Sequence, residues 1–337
     1  MTKKIGVGVI GSGRVAYSHL HAIKALNELT DLITVVDKIE EAAKKAAKKF
    51  KAKRFHTSID DALNDPQVDA VIICLPHYLH AETCEKAANK GKHIFVEKPL
   101  TITLKEAQRV FDSTKKNGIN LMVGQSQRFY DAIIASKKIV DEGKIGDILS
   151  INAVLLGYVK TPPTPWWSSE KKTGGLLIPL WGSHIIDYIL WLFGKSPARV
   201  YAEAYSNNPN WEGEDEASII LGFENGTMAS IIMSYNAHTS HTKAEGYILP
   251  IPQYNRFIIG TKGTIHLKDN TKLYLNGNKI VSGVQKPSIF YLQMKEFIMS
   301  IIEKRKPAIS VDEALKVVQV MEASKISAKE HKLIRLN

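Results

Sequence analysis

The chain lacks several features that mark particular classes of protein. Its 337 residues include two cysteines, Cys74 and Cys84, too few for a disulfide framework or a zinc site. We therefore expect both to be reduced thiols of a cytoplasmic protein. The sequence predicts no apolar run long enough to cross a bilayer, and the N-terminus leaves no room for a signal peptide before the first strand. Internal repeats and low-complexity segments are also missing.

The chain has fewer acidic than basic residues, but this difference does not predict a nucleic-acid partner. The chain has 45 Lys+Arg against 34 Asp+Glu, a formal net charge of +11. The lysines are spread along helices, as in 40–49, where Glu40 and Glu41 lie one turn before Lys44 and Lys45. No basic stripe is interleaved with aromatic residues. We predict neither a nucleic-acid nor a membrane partner, and a field that favours anionic ligands such as cofactor phosphates.

The length and the pattern of the chain predict two domains. Residues 1–123 alternate six strand-like runs with helices, which predicts an α/β Rossmann domain with a doubly wound parallel sheet. Residues 124–337 predict an α+β domain for substrate binding and oligomerisation, with a large, mostly antiparallel open sheet and a long apolar helix at 176–193. The C-terminal helix is expected to pack back on the Rossmann domain.

A glycine turn follows the first apolar run, 5–10, and opens the first helix. Its pattern is G-x-G-x-x-A, in which Gly11 permits the turn, Gly13 admits a pyrophosphate and Ala16 allows close helix packing. The helix N-terminus offers N–H groups to the phosphates. Asp37 ends the second strand about 20 residues on, where a Rossmann fold binds the ribose. The alternative is a plain βαβ unit with a glycine-rich turn.

The choice of cofactor depends on Asp37. A carboxylate at this position bonds the ribose 2′-hydroxyl of NAD and repels the 2′-phosphate of NADP. NADP stays open as a second cofactor, because Arg14 and Lys38 are cations that could meet a phosphate. The sequence therefore favours NAD.

Two residues suit the chemistry of hydride transfer. Lys98 follows the fifth strand and precedes Pro99, where it could donate a hydrogen bond to a substrate oxygen; the alternative is a surface lysine. His184 lies on the apolar helix and could remove a proton from an alcohol; the alternative is a core histidine. Asp187, three residues later, either orients His184 or caps a neighbouring element.

The ordered set of motifs resembles the glucose-fructose oxidoreductase and inositol dehydrogenase family, Gfo/Idh/MocA, over essentially the whole chain. The strongest match is E-K-P after the fifth strand combined with a glycine-pair helix that carries H-x-x-D. The matching segments are residues 11–16, 75–80, 97–99, 128–129, 143–146, 173–176, 182–187, 260–264, 312–315 and 322–324.

The resemblance implies an NAD(P)-dependent enzyme that oxidises or reduces a sugar, cyclitol or related polyol. It also implies that Lys98 polarises the reacting oxygen, that His184 shares proton transfer, that the peptide before Pro99 is cis, and that the chain forms a homodimer or homotetramer through the second-domain sheet. The expected cofactor contacts are Gly11, Gly13, Arg14, Val15, Asp37, Lys38, Leu75, Pro76, His80, Glu97, Lys98 and Gln125. The expected substrate contacts are Lys98, Arg128, Tyr158, Trp166, His184 and Asp187, and no metal is expected.

One departure from the family pattern bears on the mechanism. The family commonly has an acid one helical turn before the histidine, and this chain has Leu180, which can neither accept a proton nor bond a hydroxyl. Either His184 acts alone or another group substitutes, and Tyr158, His238 and His241 are the candidates.

Two further features of this region leave alternatives open. Pro179 inside the apolar helix predicts a kink or a late helix start. Trp166 and Trp167 either form a platform for a sugar face or pack between the domains. Leu180 motivates two other hypotheses for the function, an enzyme that cleaves glycosides with transient oxidation by bound NAD, and a regulatory protein that binds the cofactor without turnover.

Overall fold

The computed structural model describes residues 4–238, 253–283 and 286–336. The chain divides into two compact units. The first unit is Met1–Ser126 with Lys286–Leu315, and the second is Gln127–Gln285 with Lys316–Asn337. Residues 286–315, which the sequence analysis assigns to the second domain, thus lie in the first unit.

In chain order, the strands of the described residues are β1 Ile5–Ile10, β2 Thr30–Val36, β3 Arg54–His56, β4 Ala70–Ile73, β5 His93–Val96, β6 Leu121–Val123, β7 Ile148–Leu156, β8 Arg199–Tyr205, β9 Glu216–Gly222, β10 Met228–Ser234, β11 Gln253–Gly260, β12 Thr264–Lys268, β13 Lys272–Leu275, β14 Asn278–Ser282 and β15 Ile334–Arg335. The helices are α1 Arg14–Ala25, α2 Glu40–Phe50, α3 Ile59–Asn64, α4 His80–Asn89, α5 Leu104–Asn117, α6 Asp131–Asp141, α7 Glu170–Thr173, α8 Ser183–Phe193, α9 Ile289–Ile302 and α10 Val311–Glu330.

The first unit is built on a six-stranded sheet. Its strand order is β3-β2-β1-β4-β5-β6, and every neighbouring pair is parallel. Ala70–Ile73 is buried at all four positions, as expected of a parallel strand that helices cover on both faces. The order reverses between β1 and β4, so a crevice is expected at the carboxyl ends of these strands. The predicted doubly wound Rossmann sheet is confirmed.

Helix α9 belongs to the first unit because it packs on α1. Its Phe290 ring lies edge-on to His19 of α1, with the ring centroids 5.3 Å apart. Its Phe297 ring lies edge-on to Phe95 of β5, with the centroids 5.8 Å apart. These partners are far apart in the chain, so local sequence patterns carry no signal of the contact.

The second unit is built on a nine-stranded sheet in the order β14-β13-β12-β11-β7-β10-β9-β8-β15. β7 and β10 are parallel, whereas the other neighbouring pairs are antiparallel, which confirms the predicted sheet. Alternate residues of β7, among them Ile151 and Ala153, point into the core. The opposite side carries exposed apolar residues, and we call it the outer sheet face: Tyr201, Tyr205, Ile220, Met228, Ile232 and Phe257.

The predicted long apolar helix is interrupted. A π-helical turn occupies Ile178–Gly182, and α8 begins at Ser183. The predicted late start is confirmed, and its physical cause is Pro179, which cannot donate a backbone hydrogen bond.

The same region corrects the expectation about apolar runs. Among the described residues, the helical stretch Glu170–Phe193 is long and apolar enough to cross a membrane by length and composition, and its most apolar 18-residue window has a mean hydropathy of 1.5. Of its most apolar window, 83% is buried inside the protein. A buried core helix can be as long and as apolar as a membrane-spanning helix. The burial of this stretch therefore matches a core helix of the second unit.

Candidate active site

The predicted cofactor contacts of the first unit lie at one edge of its sheet. Each follows the carboxyl end of a parallel strand or begins the helix after it, which brings them together at the crevice. Arg14 and Lys38 are exposed, Val15, Leu75 and Pro76 are partly buried, and Gln125 is buried.

The glycine turn has the geometry that a dinucleotide needs. Gly11 has a φ of +90°, and a Cβ there would lie 2.6 Å from the carbonyl oxygen of Cys74. Gly13 has a φ of −69°, and its added Cβ would meet no atom within 4 Å. Gly11 is thus required by the fold, whereas the space over Gly13 is open for a pyrophosphate. The turn fits the cofactor.

The Asp37 carboxylate is held against this turn. Its Oδ2 accepts hydrogen bonds from the backbone N–H of Ser12 at 2.8 Å and from the Ser12 hydroxyl at 2.7 Å. Its Oδ1 accepts from the Ile39 N–H at 3.0 Å. Ser12 was not among the predicted site residues, although its position between the two glycines was a signal for it. The contacts orient the carboxylate that would meet a ribose.

Lys98 is the partly buried cation at the end of β5. Burial lowers the pKa of its amine to about 8, against the opposing effect of the Glu97 charge. An amine with this pKa gives up or takes a proton near neutral pH, as an acid–base group must. The peptide between Lys98 and Pro99 is cis, as predicted.

Glu97 was predicted as a cofactor contact, and the structure places its side chain in the protein interior, 9% exposed. Its Oε1 lies 2.7 Å from Nε2 of His19, and its Oε2 accepts from the Lys98 N–H at 3.2 Å. Burial raises the pKa of Glu97, but the hydrogen bond and charge of His19 and the nearby Lys98 bring it below its usual value. Sequence reasoning missed His19, whose only signal was a histidine on the apolar face of α1.

His80, another predicted cofactor contact, bridges two loops of the crevice. Its Nδ1 lies 2.8 Å from the Pro99 carbonyl oxygen, and its Nε2 lies 2.9 Å from the Leu75 carbonyl oxygen. Burial lowers its pKa, although both carbonyls and the Glu97 charge oppose that shift. The imidazole therefore ties the ends of β4 and β5 together.

In the second unit, Arg128 and Asp187 bind each other. The Nε and Nη2 atoms of Arg128 donate to the two carboxylate oxygens of Asp187 at 2.8 and 2.7 Å, and both side chains are buried. The guanidinium also lies over the Trp191 ring, 5.1 Å from its centroid. These two residues were predicted as substrate contacts, which stays a prediction, and in the structure they form a buried ion pair with each other.

His184 is the second residue of α8 and is buried, and the centroid of its ring lies 6.4 Å from that of Trp181. Leu180 is also buried, in the core of the second unit. Of the candidates to replace the acid, Tyr158 stacks on His238 with centroids 4.2 Å apart, and His241 lies outside the described residues.

The tryptophans at the predicted platform are both partly buried. Trp166 and Trp167 form an edge-to-face pair with ring centroids 6.1 Å apart, and Trp167 packs against the core of the second unit. In the described residues, no group of three or more His, Cys, Asp or Glu side chains could hold a metal ion.

A six-stranded Rossmann sheet with a glycine turn after β1 defines a dinucleotide-binding protein. Sequence models of families agree: one described as an oxidoreductase family with an NAD-binding Rossmann fold matches residues 5–125, and one described as the GFO/IDH/MocA C-terminal domain matches residues 133–266.

Individual proteins are similar over most of the chain. The oxidoreductase YrbE of Bacillus subtilis (strain 168) is 33% identical over 70% of this chain and 69% of its own length. The scyllo-inositol 2-dehydrogenase (NAD(+)) of the same organism is 29% identical over 79% and 75%. The structure of levoglucosan dehydrogenase in complex with NADH has a TM-score of 0.90 at 23% identity and covers 99% of this chain and 100% of its own.

The chain belongs to the Gfo/Idh/MocA family of oxidoreductases, and its N-terminal sheet is an NAD-binding Rossmann domain.

Proposed function

We propose that this oxidoreductase transfers a hydride between NAD and a carbon of a sugar, a cyclitol or a related polyol. The observation that carries the proposal is Lys98, an amine with a pKa of about 8 at the carboxyl edge of an NAD-binding sheet. The inositol dehydrogenase among its relatives supports the substrate class.

The bound cofactor would supply the hydride chemistry through its nicotinamide. Lys98 donates a hydrogen bond to the reacting hydroxyl or carbonyl oxygen and stabilises the charge that develops there. His184 serves as the acid–base group that takes up or returns the hydroxyl proton. Tyr158 and Trp166 contact the substrate, while Arg128 and Asp187 hold the second unit in shape.

The test is a panel of polyols, inositols and sugars followed at the nicotinamide absorbance with NAD or NADH. Lys98→Met should lower turnover of an active substrate by about 10²- to 10³-fold, the usual effect of removing one donor to an oxygen on which charge develops. Circular dichroism of the variant should match that of the wild type, which shows that the variant is folded. Unchanged turnover in this variant would contradict the proposed role of Lys98.

A second candidate is a protein that binds NAD without turnover. It is favoured by Leu180, which puts an apolar side chain, 3% exposed, where the family commonly has an acid. NADH binding with no conversion of any polyol in the panel would support it, and polyol-dependent NADH formation would exclude it. Release of nitrophenol from nitrophenyl glycosides without net NADH would instead support glycoside cleavage.

The chain is proposed to form a homodimer or homotetramer through the outer sheet face. That face is supported as an interface by its exposed apolar residues, because exposed apolar residues grouped on one face of a soluble protein often mark an interaction site. Ile220→Lys with Ile232→Lys should lower the mass measured by light scattering. Ile39→Lys, an equally exposed isoleucine of the first unit, is the matched control. An unchanged mass in the double variant would count against this interface.

A cytoplasmic location remains part of the proposal. Its support is the pair Cys74 and Cys84, which are both buried free thiols in the described structure. Fractionation of the cells that produce the protein would test it, since recovery with extracellular or membrane fractions would contradict it.

A further inference from the structure

His19 lies directly behind the loop that carries Lys98. It is fully buried on α1, and its ring meets Phe95 and Phe290 edge-on, with centroids 5.0 and 5.3 Å away. Its Nε2 is 2.7 Å from Glu97 Oε1, whereas its Nδ1 has no hydrogen-bond partner in the described chain. Because the acceptor, Glu97 Oε1, faces Nε2 and none faces Nδ1, the ring donates to Glu97 from Nε2.

The Glu97 carboxylate is enclosed on its other sides by the same unit. A Cβ added to Gly124, at the end of β6, would lie 3.1 Å from Oε1 and 3.3 Å from Oε2. The second oxygen, Oε2, accepts from the Lys98 backbone N–H. So enclosed a carboxylate accepts few hydrogen bonds. The loss of any one of these bonds leaves the buried charge without enough hydrogen-bond donors.

Four titratable groups face this carboxylate from the elements around it. They are His19 of α1, the thiol of Cys74 after β4, His80 of α4, and Lys98 on the same loop. Burial, and then the charge of Glu97, raise the pKa of Cys74, so the thiol is neutral. Burial lowers the pKa of His80, although the carbonyls of Pro99 and Leu75 and the Glu97 charge oppose that shift.

We propose that His19 is a positioning residue for Lys98. Its Nε2–H holds the buried Glu97 carboxylate in place and in its ionised form, and that charge keeps the Lys98 amine protonated and able to donate to a substrate oxygen. The inference rests on the proposed function in one respect, the use of the Lys98 amine to bind a substrate oxygen. The protonation state of the amine can be measured without any substrate.

The physical reason is the balance of burial and charge at two adjacent groups. Burial alone favours a neutral Glu97, and the hydrogen bond from His19 is the largest effect that opposes it. Burial alone also favours a neutral Lys98, and the Glu97 charge is what opposes it. Without the His19 donor, Glu97 takes up a proton more readily, and the Lys98 amine then loses its counter-charge.

The test measures the Lys98 amine itself in the full-length protein without substrate. Trace acetylation by acetic anhydride labels only unprotonated amines, so the labelling of the Lys98 peptide, read by mass spectrometry from about pH 6 to about pH 10, gives the pKa of this amine. Exposed Lys44 on α2 is the internal reference. The variants are His19→Phe, His19→Gln and Glu97→Gln, with His21→Phe as a matched control on the exposed side of α1.

The expected result separates charge from packing. His19→Phe and Glu97→Gln should each lower the labelling midpoint of Lys98 by about one pH unit, the usual effect of losing a close opposite charge. His19→Gln, whose side-chain amide can donate to Glu97, and His21→Phe should keep the wild-type midpoint. Circular dichroism and thermal unfolding report whether each variant is folded.

Three results would overturn the inference. They are an unchanged midpoint in folded His19→Phe, an unchanged midpoint in Glu97→Gln, and a lowered midpoint in His19→Gln equal to that in His19→Phe. If His19→Phe does not fold, the conservative Glu97→Gln and His19→Gln variants still decide the question. Absence of polyol oxidation in the wild-type protein would contradict the proposed function and leave the labelling result untouched.

Discussion

Two glycines two positions apart in the first turn meet different physical demands. Gly11 has a backbone conformation that residues with a Cβ rarely adopt, and it packs against the Cys74 carbonyl. Gly13 has an ordinary conformation with open space above it. The fold requires the first glycine, and the open space is useful only to a ligand.

Substitution by alanine should separate these two roles. Gly13→Ala should leave the Tm within about a degree of wild type, since the new methyl meets no atom, and should weaken NADH binding on the order of tenfold or more by crowding the pyrophosphate. Gly11→Ala should lower the Tm by several degrees through strain and overlap. Calorimetry and NADH titration measure both. Full NADH affinity in Gly13→Ala would place the pyrophosphate elsewhere.

The Asp37 carboxylate should govern the choice between the two cofactors. Asp37→Asn removes the negative charge and keeps the size of the side chain that contacts Ser12. The ratio of NADPH to NADH affinity should rise on the order of tenfold, because repulsion of the 2′-phosphate is relieved. Asp31→Asn, at the opposite end of β2, is the control. An unchanged ratio would mean that Asp37 does not face the ribose.

At the scale of elements, one ion pair joins the turn Ser126–Phe129 to helix α8. The two parallel hydrogen bonds between Arg128 and Asp187 set the position of the turn, and Trp191 of the same helix covers the guanidinium. A buried pair of this kind is worth little against an apolar pair of equal size, but removal of one partner leaves an uncompensated charge.

Single and double substitutions should therefore differ. Arg128→Met and Asp187→Leu should each lower the free energy of unfolding by about 3–5 kcal/mol, and the double variant with both substitutions should lose less than their sum. Tryptophan fluorescence during urea unfolding is a selective measurement, because all five tryptophans of the chain belong to the second unit. Additive losses would contradict direct coupling of the pair.

For the molecule as a whole, two histidines of the first unit make stability depend on pH: His80, which is buried, and His93, which is partly buried. Burial lowers the pKa of His80 and of His93, and the Nδ1 atom of His93 accepts the Asn120 N–H at 3.0 Å, which requires the unprotonated nitrogen. The unfolded chain takes up protons at these residues near pH 6.5, whereas the folded chain does so at lower pH. Their stabilising contribution is therefore complete above that pH and is lost below it.

The Tm should fall by several degrees between pH 7 and about pH 5, where unfolded histidines are protonated. His93→Asn keeps an acceptor for the Asn120 N–H and cannot be protonated, so its Tm should fall less over the same range. His21→Asn, an exposed histidine of α1, should follow the wild type. Calorimetry at each pH measures the effect, and parallel curves for wild type and His93→Asn would refute the assignment.

Local patterns in the sequence were sufficient for the Rossmann sheet, the glycine turn, Asp37 and the late start of α8. Each depends on neighbours in the chain: apolar strand-length runs, residues that permit a turn, and a proline that cannot donate a hydrogen bond. The family followed from the order of such motifs. Lys98 could be chosen as a candidate catalytic residue for the same reason, because it closely follows a buried strand and precedes a proline.

Only the tertiary structure decided what the side chains around those motifs do. His19 meets Glu97 because α1 and β5 pack together, Arg128 meets Asp187 because α8 packs beside a distant turn, and residues 286–315 complete the first unit. No local period encodes such contacts, since they join positions far apart in the chain. Burial then sets the charge states, which is why the sequence could name Lys98 and the fold decides how acidic its amine is.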